Sequence, residues 1–155
     1  MQLPRKFAIV VLFLHVICLY SAPARADLGP CYGSIRKALS AGGFQGEPDC
    51  KRIDVKIAKI GNMKRAHDVL ELYLLTYRTI PESGLVAHGG KNLIILSNNK
   101  YIGQYSLSME SYEKIIISNN NLKFDPEIPY TNVDLGSDGL PKSIYINGYN
   151  FSLSK

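Results

Sequence analysis

Tryptophan is absent from this chain, histidine and cysteine are down to three residues each, and no run of like charge occurs anywhere. These gaps exclude several classes of chemistry. There is no C-x-x-C pair and no histidine cluster, so zinc-ligand spacing is missing. There is no G-x-S-x-G elbow, which removes the nucleophile of an α/β-hydrolase. There is no D-x-D-x-D-G loop for calcium and no glycine-rich cofactor loop. The acidic residues Asp125, Glu127, Asp134 and Asp138 are interrupted by Pro126 and Pro129 and read as a solvated loop.

What is present begins with an export signal. Arg5 and Lys6 precede an apolar run from Phe7 to Tyr20, broken only by His15, and Ala24-Arg25-Ala26 is a small-x-small cleavage site. Residues 1–26 are therefore expected to be a cleaved signal peptide, and 27–155 a single exported domain, periplasmic or secreted. The run is shorter than the roughly 20 residues that span a bilayer, so no stable membrane insertion is expected after cleavage. The leader holds three of the 18 basic residues and none of the 13 acidic ones, so the net charge falls from +5 to +2 on maturation. That balance gives no reason to expect nucleic acid as a partner, because such binding favours a dense basic patch.

Cys18 leaves with the leader, and Cys31 and Cys50 then have only each other. An oxidising compartment makes them a disulfide. Closing the loop between them is worth about 3 kcal/mol through lost chain entropy in the unfolded state.

One helix is predicted. Gly29 serves as its N-cap and Pro30 as its first residue. Ile35, Ala38 and Leu39 line one face, and Gly42-Gly43 ends it. From Ile53 the period becomes two. Ile53, Val55 and Ile57 form a half-buried strand, with Gly61-Asn62 as a turn candidate, and Val69–Thr79 reads as a second strand.

Hairpins follow. Asn98-Asn99 as a two-residue turn pairs Leu96 with Tyr101 and Ile95 with Ile102. Both faces of that hairpin are apolar, so it should lie centrally, covered on both sides. Asn119-Asn120 pairs Ile117 with Leu122 and Ile115 with Phe124. Asn147-Gly148, a strong type I′ signal, pairs Ile146 with Tyr149 and Ile144 with Phe151. Asp138-Gly139 turns the chain after a strand at Val133-Asp134-Leu135. The expected fold is mainly β: an antiparallel meander of about eight short strands, curled as a sheet, partial barrel or sandwich, with one short N-terminal helix.

Candidate chemistry is sparse. His67-Asp68 lies at a strand start, where adjacent side chains point to opposite faces and do not serve one site. His88-Gly89-Gly90 resembles an oxyanion loop but has no matching nucleophile and reads as a glycine-rich lead into a strand. Glu110 and Glu113 read as surface charge. Asn150-Phe151-Ser152 is a glycosylation sequon. Tyrosine is the unusual abundance, with nine beyond the leader against three phenylalanines. Tyrosine offers large contact area, few torsions and a polar tip, so Tyr101, Tyr105 and Tyr145 are the candidate binding residues. The expectation is a non-catalytic binding or accessory protein without metal or cofactor, its partner a protein, a glycan or a small ligand. The alternatives are a small hydrolase using His67 or His88 with a carboxylate, and an assembly accessory that pairs through an exposed strand edge.

Overall fold

The computed structural model describes residues 28–46, 49–51, 53–79, 88–107, 114–124, 132–136, 139–146 and 148–155. The described residues open with a helical segment of two parts, a 3-10 stretch at Pro30–Ile35 and an α-helix, α1, at Arg36–Gly42. Gly29 and Pro30 start it as the sequence predicts, but the run is broken at Gly33, whose φ is +56°. The far end is a Schellman cap. Gly43 takes a left-handed φ of +82° and its N–H donates to the Ser40 carbonyl, while the Phe44 N–H donates to the Leu39 carbonyl. Phe44 then packs beside Leu39 in the same apolar cluster, the contact that usually accompanies this cap.

The remaining elements are strands: β1 (Ile53–Lys64), β2 (Val69–Thr79), β3 (Gly89–Ser97), β4 (Lys100–Leu107), β5 (Ile115–Ser118), β6 (Asn121–Phe124), β7 (Asn132–Val133), β8 (Ser143–Ile146) and β9 (Tyr149–Ser154). Six of them form an open antiparallel sheet in the order β1-β2-β3-β4-β9-β8, and β5-β6-β7 form a smaller one. The mainly β class, the meander and the N-terminal helix agree with the sequence, and the large sheet does not close.

Three predicted registers can be checked pair by pair. Ile146 faces Tyr149 and Ile144 faces Phe151. Ile117 faces Leu122 and Ile115 faces Phe124. Asn98, Asn99, Asn119 and Asn120 all have φ between +49° and +59°, the conformation two-residue hairpin turns require. Leu96 faces Tyr101 as expected, but Ile95 faces Gly103 rather than Ile102, because β4 carries a bulge there. A second bulge lies in β1 between Lys59 and Gly61, so Gly61-Asn62 is not a turn but part of a strand running on to Lys64. The predicted strand at 133–135 is shorter; Asp134 instead accepts a hydrogen bond from the Gly136 N–H in a local turn. Of the expected turn at Asp138-Gly139, Asp138 lies outside the described residues, as does Asn147.

The large sheet is apolar on both faces. One face holds Leu75, Ile94, Leu96 and Tyr101 and is covered by Leu28, Tyr32, Ile35, Leu39 and Phe44 of the N-terminal segment. The other holds Leu70, Leu72, Leu93, Ile95 and Tyr105 and is covered by Leu122, Phe124, Val133 and Leu135. The β3–β4 hairpin is therefore central, with both faces buried. Each such fully buried aliphatic side chain contributes about 1.5–3 kcal/mol relative to exposure. Helix and sheet approach closely at one point, where a Cβ on Gly42 would strike the backbone and Cβ of Tyr101. The Cys31–Cys50 disulfide, with Cα atoms 5.6 Å apart, ties the first helical turn to the segment entering β1. The Cys31 N–H also donates to the Cys50 sulfur.

Candidate functional site

The tyrosines proposed from sequence do not form one surface. Tyr101 and Tyr105 are core residues, 3% and 0% exposed, and sit on opposite faces of the sheet. Residues four apart on a regular strand share a face. The single extra residue at Ile102 reverses the alternation between them. Each phenol finds a carbonyl: Tyr105 donates to Pro141 at 2.6 Å and Tyr101 to Ser154 at 3.4 Å. Burial pushes both phenols up to about 12. Tyr145 is the exception, 67% exposed on the β8–β9 hairpin, with Tyr149 nearby at 59%.

The histidines are surface residues. His67 lies in the β1–β2 turn rather than on a strand, and its neighbour Asp68 is engaged elsewhere. Asp68 takes two hydrogen bonds from the Arg65 guanidinium and one from the Ser97 hydroxyl, each at 2.6 Å. Those bonds, Arg65 first, hold its carboxyl down to about 2. His88 is exposed, and its carbonyl accepts from the Thr79 N–H. Glu110, Glu113, Asp125, Glu127 and Asp138 lie outside the described residues. Among the described residues no group of three His, Cys, Asp or Glu stands close enough to hold a metal, and no helix is long and apolar enough to cross a membrane.

The larger concave feature described is a cleft of about 480 Å³ between the end of the helical segment and the sheet, within the usual size of small-ligand sites. Its floor is built by strand register. On the helix-covered face, Leu75 of β2, Asn92 of β3 and Ser106 of β4 are directly opposed in one row, and Gln104 lies two residues along from Ser106. Tyr77 pairs with Gly90, and the phenol lies over it, since a Cβ there would come within 2.7 Å of the Tyr77 hydroxyl. The opposite wall is Tyr32 with Phe44, Gln45 and Gly46. Tyr32 and Phe44 meet edge to face at 5.9 Å, which fixes that wall.

The described lining contains rings, hydroxyls and amides, and no carboxylate, imidazole, ammonium or guanidinium. Asn92 is the buried polar side chain of the core, 9% exposed, and makes no side-chain hydrogen bond among the described residues. Gln104 Oε1 is enclosed and also has no partner. Sequence reasoning passed over both. The available signal was Asn92 itself, a polar residue heading the apolar run Leu93–Leu96 in a strand covered on both faces.

A second, smaller cleft of about 260 Å³ lies at the other end of the sheet, beside Lys64, Arg65, Asn120 and Asp134. Its charges are of both signs and Arg65 is already bonded to Asp68.

Compared with protein-family models, with curated proteins and with solved structures, the chain gives no match in any of the three.

Proposed function

We propose that this chain is an exported, non-catalytic binding domain whose ligand enters the cleft between Phe44–Gly46 and the β2–β4 face. The observation that carries this reading is the described lining of that cleft, whose rings, hydroxyls and amides are suited to contact and hydrogen bonding. A hydroxyl such as Ser106 or Thr79 becomes a nucleophile only beside a general base, and the described lining supplies none. The lining is instead suited to contact and hydrogen bonding. The export address rests on the leader pattern of residues 1–26, and the Cys31–Cys50 disulfide is consistent with an oxidising compartment. A hydrolase built on His67 or His88 has less support, because both are exposed and neither lines the cleft.

A second reading has one observation in its favour. Among the described residues β8 is an edge of the large sheet, and its hairpin presents Tyr145 and Tyr149 to solvent. That arrangement suits pairing with a strand of another protein.

The two readings separate in a ligand-observed NMR screen of a small-molecule fragment library. Ser106 lines the cleft at an exposed position, so Ser106→Phe fills it. Loss of the bound fragments in Ser106→Phe, with retention in Tyr145→Ala, supports the cleft. Fragments that survive Ser106→Phe and disappear in Tyr145→Ala overturn it.

A further inference from the structure

We propose that the cleft binds a neutral saccharide, with the amides of Asn92 and Gln104 reading its hydroxyl groups and the ring of Tyr77, with the edge of Phe44 opposite, packing against its apolar C–H face. This deepens the reading of the cleft as a binding site and rests on it.

Asn92 is more than nine-tenths buried, lines the cleft and makes no side-chain hydrogen bond among the described residues. Gln104, diagonally across on β4, has an enclosed Oε1 without a partner. A buried polar group without a partner costs about 1–3 kcal/mol, so the enclosed Gln104 Oε1, with the Asn92 amide diagonally across from it, is an expensive way to build a core. Replacing both by aliphatic residues would serve packing alone. Their presence is explained if a bound molecule completes them.

The chemistry of that molecule follows from the lining. An amide offers both an acceptor oxygen and an NH₂ donor. A hydroxyl is likewise donor and acceptor, so two neighbouring amides match two neighbouring hydroxyls. A phosphate, carboxylate or ammonium group would enter a cleft whose described lining has no counter-charge, at a large desolvation cost. A purely apolar ligand would leave both amides unsatisfied. A flat aromatic ligand would stack but still leave them unmatched. The remaining class is neutral, hydroxyl-bearing on one side and apolar on the other, and a pyranose ring is of that kind. Tyr77 and the edge of Phe44 supply apolar surface, and Tyr77 also carries a hydroxyl at its tip.

The test is a ¹H–¹⁵N NMR titration of the disulfide-bonded protein. The probes are D-glucose, D-galactose, D-mannose and N-acetyl-D-glucosamine, with D-glucuronate as the charged comparator and cyclohexanol as the apolar one. The expected result is saturable shifts at Tyr77, Asn92, Gln104 and Ser106 with at least one neutral sugar. Asn92→Leu should weaken that binding by roughly tenfold or more. It should leave the denaturation midpoint unchanged or raised, because the variant replaces a largely buried amide that makes no side-chain hydrogen bond among the described residues. A merely structural Asn92 would instead lower that midpoint. If Asn92→Leu does not fold, Gln104→Leu carries the same comparison. If only cyclohexanol shifts these residues, the site stands and the saccharide assignment is overturned. If glucuronate binds more tightly than every neutral sugar, the assignment is overturned likewise. If no probe moves the cleft residues, this inference fails, and the fragment screen above decides separately whether the cleft binds anything.

Discussion

The side-chain amide of Asn120 bonds the backbone of Lys64 in both directions. Its Oδ1 accepts from the Lys64 N–H and its Nδ2 donates to the Lys64 carbonyl, each at 2.7 Å. Lys64 is the last residue of β1, whose outer side pairs with no other strand of the large sheet. One turn residue of the small sheet thus imitates a strand partner and latches the two sheets together. The rest of that edge is managed by charge: Asp54, Lys56 and Lys59 are exposed along it, as is usual for strands that must not pair with other chains.

Asn120→Gly should break this latch without disturbing the turn. Asn120 has a φ of +59°, which glycine also adopts freely. The expected loss is about 1 kcal/mol of stability, the ordinary net worth of such hydrogen bonds. It is checked by urea denaturation, and an unchanged midpoint would show that the latch contributes nothing.

Acid should weaken the β1–β2 turn through Asp68. The folded-state carboxyl is lowered from 3.8 to about 2, chiefly by Arg65 and then by Ser97. A depressed carboxyl contributes stability that is fully present above its unfolded value and is lost as pH falls through the folded one. The denaturation midpoint should therefore drop as pH goes from above 3.8 toward 2, and Asp68→Asn should remove the part of that drop due to this group. Parallel pH profiles for the two proteins would count against it.

Alkali should act through the core tyrosines. Burial raises Tyr101 and Tyr105 from 10 to about 12. The unfolded chain releases those protons first, so their contribution to stability is whole below 10 and is lost as pH rises through 12. Tyrosinate absorbance should accordingly show a late component that coincides with loss of far-UV signal. Tyr105→Phe, which keeps the ring and removes the hydroxyl, should reduce that component.

Gly148→Val should destabilise the domain by about 1 kcal/mol or more, because a β-branched residue resists positive φ. Gly148 has a φ of +84° and open space around its missing Cβ, so the effect is conformational and not steric. Gly148→Asn, which tolerates that conformation, should be much milder. Equal losses for the two variants would point away from the turn.

The hairpins, their registers and the two-sided burial of β3–β4 were readable because turn residues and alternation agree locally. The bulges were not. A bulge adds one residue without changing composition, and its effect is global: past Ile102 every side chain changes face, which is why Tyr101 and Tyr105 part company. A faint mark existed. Gly103 and Gly61 are glycines inside strand patterns, and each stands at a bulge. Gly61-Asn62 was legible as a turn only because a turn and a bulge draw on the same residue types. The cleft escaped sequence reasoning for another reason. Tyr32, Tyr77, Asn92 and Gln104 come from four separated segments, and only the sheet register and the helix packing bring them together.

The disulfide has a practical consequence for anyone handling this protein. Tyr32, Phe44, Gln45 and Gly46 all belong to the stretch closed by Cys31 and Cys50, so one wall of the cleft is tied covalently by the disulfide as well as packed on the sheet, while the floor belongs to the sheet itself. Cutting the tie removes the covalent part of that support and leaves the packing of Tyr32, Leu39 and Phe44. Assay buffers should therefore omit dithiothreitol, because a negative screen of the reduced protein does not test the disulfide-bonded wall described above.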